Sequence, residues 1–451
     1  MNQVDLKIVK FGGSSLADAN QFRKVKEIVT AEKARRFVVP SAPGKRSSND
    51  IKVTDMLYTC QKLASEGADI SEPFGQIRAR YLEIANELSL SYDPSAALDE
   101  VYENLRNGAT KDYAASRGEY LNGLLLSSYL GYQFVDAADV VRFDANGVLM
   151  MDETMTLMRE KLGKLECAVI PGFYGADENG NVITFSRGGS DVTGSLVARA
   201  VSADIYENWT DVSGVLVADP RIVANAVPIN TITYEELREL SYMGASVLHE
   251  DAIFPVRAAD IPINIRNTNA PDAPGTMIVA SDSAASDQFT GYTITGIAGR
   301  KGFCAINIQK AMMNAEIGFC RKVLSVLEEL NISFEHMPSG IDTMSIILPE
   351  DAIHGREKTV LSKIRKAVSP DRLEIEHGIS LLAVVGRGMR RTRGTAARIF
   401  AALAHARINV KMIDQGSSEL NIIIGLLDGD FEEAVRRIYD VFVSSTITEQ
   451  S

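Results

Sequence analysis

The stretch "NVITFSRGGSDVTGSLVARAVSADIYENWTD", Asn181 to Asp211, reads strand, turn, helix, strand. Its two ends carry the β-branched and aromatic residues of buried strands, and the middle sets Leu196, Val197, Ala200 and Val201 at helical spacing. At the turn, Arg187, Gly188, Gly189, Ser190 and Asp191 follow one another. The glycines allow a sharp reversal, and Ser190 or Asp191 can cap the helix that begins there. Capping accounts for the aspartate but not for the arginine. An arginine at a strand end beside open backbone N–H groups suits a carboxylate, which it grips through two parallel hydrogen bonds.

The same alternation extends outward from this unit. "LKIVKF", "RFVVPSA", "YQFVDAADVV", "CAVIPGFYG" and "IPINIRN" read as further strands, and "ANQFRKVKEIVTAEKA" as a helix. Strands alternating with helices from Leu6 to about residue 280 predict a mostly parallel sheet sandwiched by helices, with ligands at the carboxyl ends of the strands. "NTNAPDAPGTMIVASDSAASDQFTGYT" then reads as a boundary ending near Tyr292. Beyond it, "GFCRKVLSVLEELNISFEHM" from Gly318 aligns without a gap to "GTAARIFAALAHARINVKMI" from Gly394, 76 residues on, matching Val323 to Ile399, Leu327 to Leu403 and Ile332 to Ile408. Each copy is flanked by strand-like runs, "GFCAINIQ" and "TMSIILP" in one, "ISLLAVVG" and "LNIIIGLL" in the other, so a strand, helix, strand, strand unit is duplicated.

Composition narrows the function. A chain of 451 residues exceeds one ordinary core, so several domains are expected. A formal net charge of -12 speaks against nucleic acid or an anionic membrane surface as partner, while leaving small anions free to bind a locally basic cleft. No apolar run is long enough to span a bilayer, and the amino terminus shows no signal-peptide pattern. Four scattered cysteines, Cys60, Cys167, Cys304 and Cys320, suggest neither a zinc site nor a disulfide framework, which fits reduced thiols in a cytoplasmic protein. His249 reads as structural, and no metal ligand set is expected from the protein.

Three further stretches bear on chemistry. "KFGGSS", Lys10 to Ser15, ends a strand and opens a helix, leaving backbone N–H groups uncovered beside a helix N-terminus as a phosphate cradle. "SAPGKRSS" mimics a Walker loop, but it lacks the earlier glycine and puts Arg46 where Ser or Thr would stand; it reads as a mobile polar loop able to serve as a lid. "WTDVSGVLVADPR", Trp209 to Arg221, reads either as a long solvated turn or as a nucleotide platform in which Thr210 and Asp211 meet the purine or ribose and Arg221 meets phosphate.

In this order, "VKFGGSS", "RGEYLN", "FSRGGSDVTGSLVARAV", "ENWTDVSGVLVADPR" and "ELSYMGASVLHEDAIFPV" resemble the aspartokinases of the amino-acid-kinase family, and the duplicated units look like that family's paired, ferredoxin-like α+β ACT domains. The resemblance implies a catalytic domain over residues 1–285, a first regulatory ACT unit over 293–370 and a second over 371–451, with interleaving of the two left open. It implies ATP with Mg2+ as phosphate donor and L-aspartate as acceptor. Lys10 would hold phosphate oxygens, Gly12 and Gly13 would line the phosphate path, and Ser41 would lie close to the aspartate or the transferred group. Glu119 would pair with the substrate ammonium, Arg187 would clamp its α-carboxylate, Asp191 would orient Lys10, and Thr210, Asp211 and Arg221 would hold the nucleotide.

An effector amino acid, L-lysine first and L-threonine second, would bind around Met313, Glu316, Gly318, Phe319, Ser333, Phe334 and Glu335, with Glu335 taking its ammonium. Sheet edges of the ACT units would make the protein a homodimer or a dimer of dimers. Two departures stand out: Ser246 in "GASVLHE" stands where the family commonly has a lysine, so that either the nucleotide contacts differ in detail or another basic residue such as Lys45 substitutes, and Leu216 stands where some members have an aromatic residue. Alternative expectations are a kinase for another acidic amino acid and a catalytically weak amino-acid sensor.

Overall fold

The computed structural model describes residues 6–186, 188–245, 248, 250–281 and 293–444, with only the backbone of residues 250–252 and 444. Arg187, Ser246, His249 and the end of the expected boundary near Tyr292 lie outside the described residues. The chain forms two compact units: one comprises Met1–Val215, Pro228–Tyr234 and Ser246–Gln288, the other Leu216–Val227, Glu235–Ala245 and Phe289–Ser451.

The first unit contains strands β1 (Lys7–Phe11), β2 (Arg35–Pro40), β3 (Gln133–Phe134), β4 (Ala168–Val169), β5 (Tyr174–Ala176), β6 (Val182–Thr184), β7 (Ile205–Thr210), β8 (Thr231–Thr233), β9 (Ile263–Asn267) and β10 (Thr276–Val279). Eight of them make one sheet in the order β3-β4-β2-β1-β7-β9-β10-β8, parallel except between β9 and β10, while β5 and β6 form a separate antiparallel pair. Val9 and Phe11 of β1 join a core with Phe22, Val25, Ile28 and Val29 of the helix Ala19–Ala31. Because side chains alternate along a strand, Lys10 between them faces the other side, toward the helix Gly189–Ala200.

Four helices, Val53–Ser65, Ser71–Glu87, Ser95–Arg106 and Lys111–Leu130, close the same core. A fully buried Glu207 fastens the sheet from the core face, with Arg35 Nε at 2.8 Å, Lys7 Nζ at 3.2 Å and the Trp209 indole Nε1 donating at 2.9 Å.

Two expectations are corrected in this unit. "YQFVDAADVV" is a strand only over Gln133–Phe134, because the Asp136 carboxylate accepts from Ala138 N and starts the short helix Ala137–Val140. The polar loop after β2 is not loose. Arg80, almost fully buried, donates to the carbonyls of Ala17 and Gly44 and to Asp50, and Asp50 also accepts from Arg46. The Arg46 hydrogen bond and the nearby Arg80 charge hold the Asp50 carboxyl well below the usual range.

The second unit contains β11 (Gly296–Gln309), β12 (Thr343–Pro349), β13 (Arg372–Val385), β14 (Met412–Asp414) and β15 (Asn421–Leu427), in the antiparallel order β12-β11-β13-β15-β14. The duplicated halves share this sheet: β11 and β13, one from each, pair from Gly296 opposite Val385 to Gln309 opposite Arg372. The duplicated helices are Phe319–Glu329 and Thr395–His405, each entered through a glycine in the left-handed region, Gly318 at φ 80° and Gly394 at φ 83°. Two segments from inside the span 1–285 belong to this unit. Val217 O accepts from Ile297 N at 2.7 Å, and the helix Tyr234–Tyr242 places Glu236 at 0% exposure, accepting from Arg387 N and Nη1 at 2.8 Å and from Thr295 Oγ1 at 2.7 Å.

Candidate active site

Lys10 and Asp191 meet across the sheet face of the first unit, with Nζ 2.7 Å from Oδ1. The aspartate does not cap its helix. Gly188 takes the N-cap position at φ 60° without a side-chain hydrogen bond, and the Asp191 carboxylate is turned to Lys10 and to Asn208, whose Nδ2 donates to Oδ1 at 2.8 Å. As the third residue of that helix, Asp191 lies past the N-cap position, and its carboxylate takes a charge-assisted hydrogen bond from the Lys10 ammonium instead.

The loop after β1 is built from contacts only glycine permits. A Cβ on Gly13 would stand 2.8 Å from the Ala42 carbonyl oxygen, and one on Gly44 would stand 2.5 Å from the Gly13 carbonyl carbon. Gly44 N donates to Gly13 O at 2.8 Å, Gly12 N to Trp209 O at 3.0 Å and Ser41 N to Phe11 O at 3.0 Å, so the ends of β1, β2 and β7 are laced into one rigid rim. A Cβ on Gly12 would lie 3.8 Å from the Lys10 ammonium, placing that glycine beside it.

Glu119 rises into this region from the helix Lys111–Leu130. It is 6% exposed, and its Oε2 is buried with no hydrogen-bond partner among the described residues. Burial pushes its carboxyl up to about 8, although the Ala42 N–H and the charges of Lys10 and Arg117 pull the other way. Sequence reasoning missed three neighbours. Asn122, one turn further on, donates to Ser41 O at 2.7 Å. Arg117 is buried among the rings of Tyr113, Tyr120 and Tyr174, 4.4 to 5.2 Å from their centres. Asn208 is the third, and its only signal is a polar residue inside the strand "IYENWT".

The remaining expected residues divide between the units. Thr210 ends β7 and its hydroxyl donates to Asp211 Oδ1 at 3.1 Å. Arg221 belongs to the second unit, where its side chain is 88% exposed and doubly bonded to Asp219. Among the expected effector residues, Met313 and Phe319 are core, Glu316 is held by Lys310 at 2.5 Å and Lys322 at 2.6 Å, Gly318 starts the helix, and Ser333 and Phe334 are exposed. The Glu335 carboxylate is already taken. It accepts from the Tyr242 hydroxyl and from Arg300 Nη2 at 3.4 Å.

A parallel sheet that presents a lysine to the first turn of a helix, followed by a duplicated antiparallel unit, is the architecture of an amino acid kinase with ACT domains. A sequence model of the amino acid kinase family matches residues 5–267, and one of the ACT domain matches residues 382–442. Aspartokinase 3 of Bacillus subtilis is 40% identical over 98% of this chain and 100% of its own length. The crystal structure of Clostridium acetobutylicum aspartate kinase, 50% identical, covers 97% of this chain and 100% of its own with a TM-score of 0.90. Escherichia coli aspartokinase III in complex with aspartate and ADP, 25% identical, matches over 97% of this chain and 99% of its own with a TM-score of 0.71. The same enzyme in complex with lysine and aspartate matches equally well, with a TM-score of 0.71 at 25% identity over 97% of this chain and 100% of that one. The chain belongs to the aspartokinases of the amino acid kinase family.

Proposed function

We propose that the protein transfers the γ-phosphoryl group of ATP to the side-chain carboxylate of L-aspartate, giving 4-phospho-L-aspartate, the first step toward lysine, threonine and methionine, under feedback by an amino acid bound at its ACT domains. The observation that carries this reading is the buried Glu119 oxygen, unpartnered among the described residues and within reach of the Lys10 charge. A carboxyl left without a partner in an apolar site awaits a cation, and an amino acid supplies one as its ammonium group.

The acceptor carboxylate is its own nucleophile at neutral pH, so no general base is needed and catalysis rests on positioning and charge neutralisation. Glu119 takes the aspartate ammonium and Arg187 its α-carboxylate, which fixes the side-chain carboxylate toward the phosphates near Ser41. Lys10 neutralises charge on the transferring group, Asp191 aims Lys10, and the N–H groups of Gly12 and Gly13 line the phosphate path. Thr210, Asp211 and Arg221 hold the nucleotide. Mg2+ accompanies the ATP phosphates, with no ligand set assigned to the protein. Lysine is the leading effector and threonine the second, the assembly is a homodimer or a dimer of dimers, and the protein works in the cytoplasm.

The test incubates the protein with ATP, Mg2+ and hydroxylamine plus L-aspartate or L-glutamate, and measures the hydroxamate trapped from an acyl phosphate. Signal with aspartate alone is expected. Signal with glutamate alone would replace the substrate, and none with either from folded protein would leave an amino-acid sensor.

A further inference from the structure

We propose that Asn208 is a positioning residue for phosphoryl transfer, holding the Lys10–Asp191 pair in the one arrangement the transferring group meets. The proposal rests on the reaction proposed above and adds to it a residue on β7 with no place in that scheme.

The backbone register creates the juxtaposition. β1 and β7 are parallel neighbours with Lys10 directly opposite Asn208, so the two side chains leave the sheet side by side on the same face. Asn208 is buried, and both ends of its amide are spent on the pair rather than on backbone. Nδ2 donates to Asp191 Oδ1 at 2.8 Å, and Oδ1 accepts from Lys10 Nζ at 3.5 Å. The ammonium and the amide therefore converge on a single carboxylate oxygen, Asp191 Oδ1, which also lies 2.7 Å from Nζ.

The next residue on the same strand face acts on the same helix turn. The Tyr206 hydroxyl donates to the Asp191 carbonyl oxygen at 3.3 Å, under Gly194, where a Cβ would stand 2.5 Å from that hydroxyl. β7 thus grips Asp191 by main chain and side chain at once, and two residues beyond Asn208 on that face comes Thr210.

The chemistry explains the choice of an amide. The group must donate to a carboxylate and accept from an ammonium at one place, which an aspartate or a leucine of similar size cannot do. Aspartate would set a second carboxylate 2.8 Å from the first, and the two would compete for one lysine. Leucine would leave the Lys10 ammonium tethered at one point only. A lysine has four rotatable bonds and a compact charge, so a single tether fixes it poorly. Misplacement by about 1 Å can cost on the order of 100-fold in rate without touching substrate affinity.

The experiment measures steady-state kinetics and thermal stability of the full-length protein with Asn208→Leu, Asn208→Asp, Asp191→Asn and the Asn208→Leu/Asp191→Asn pair. The expected result is a kcat lowered about 10- to 100-fold in Asn208→Leu with KM for aspartate and ATP within about twofold, and little further loss when it is added to Asp191→Asn. Asn208→Asp should also lose kcat with KM retained, and it decides the question if Asn208→Leu does not fold. A folded variant with wild-type kcat, or losses that multiply independently of Asp191, overturns the role. The failures are separable: wild-type protein that yields no aspartyl hydroxamate removes the reaction itself, whereas an active wild type with an equally active Asn208→Leu removes only this inference.

Discussion

Glu119 makes the active site proton-sensitive. With its carboxyl pushed up to about 8, the empty site is mostly protonated at pH 7, and binding an ammonium requires that proton to leave. kcat/KM for aspartate should rise about fivefold from pH 7 to 8 and level off above, and Glu119→Gln should flatten the profile while raising KM. The stability of the empty protein runs the other way. A raised folded value means that the contribution is fully present below the unfolded value of about 4.3 and is lost progressively as the pH rises to about 8, so the melting temperature of Glu119→Gln should vary less with pH between those two values. At the opposite end of the substrate, Arg187→Ala should raise aspartate KM by roughly 10- to 100-fold, the size of one charge-assisted contact, while Lys10→Ala should act mainly on kcat. Normal aspartate saturation in the Arg187 variant would cancel the clamp.

Secondary structure carries this site only because certain elements touch without side chains between them. Gly13→Ala sets a Cβ against the Ala42 carbonyl and the Gly44 backbone, neither of which can rotate away, so a loss of about 1 to 3 kcal/mol together with lower kcat is expected from urea unfolding and kinetics. Gly194→Ala collides instead with the Tyr206 ring, and adding Tyr206→Phe, which removes the hydroxyl atom at 2.5 Å, should recover part of the lost melting temperature. The strand, turn and helix of residues 181–211 were legible because their two periodicities are clean. The helix Lys111–Leu130 was not. It buries Ser116, Arg117, Glu119 and Asn122 alongside Ala114, Leu121 and Leu125, and a helix buried all round shows no polar face in its sequence. The Asp191 cap misread has a related cause, since local rules see the nearest N–H and cannot see a lysine 181 positions away.

At the level of the whole chain, the duplication in the sequence becomes one shared sheet. The helix Tyr234–Tyr242, which precedes the duplicated halves by some fifty residues, packs with them in the second unit. Glu236 is its anchor, and Glu236→Ala, which strands the Arg387 guanidinium, should cost about 3 to 5 kcal/mol in the unfolding of that unit. Tyr242 meets Glu335, the residue expected to take an effector ammonium, so that ligand would have to displace a hydroxyl. Tyr242→Phe should therefore tighten lysine binding in isothermal titration, and unchanged affinity would move the effector ammonium away from Glu335.

What the sequence by itself determined are the features carried by local periodicity and turn chemistry. These are the parallel sheet, the glycine turns beside Lys10 and Asp191, the duplicated unit and the family. What only the tertiary structure decided are pairings between distant residues: Asn208 with Lys10 and Asp191, Glu335 with Tyr242 and Arg300, Glu236 with Arg387. Hydrogen bonds and ion pairs form wherever the packed backbone brings their atoms within about 3 Å, and that distance is set by strand register and helix placement, which no short window of residues contains.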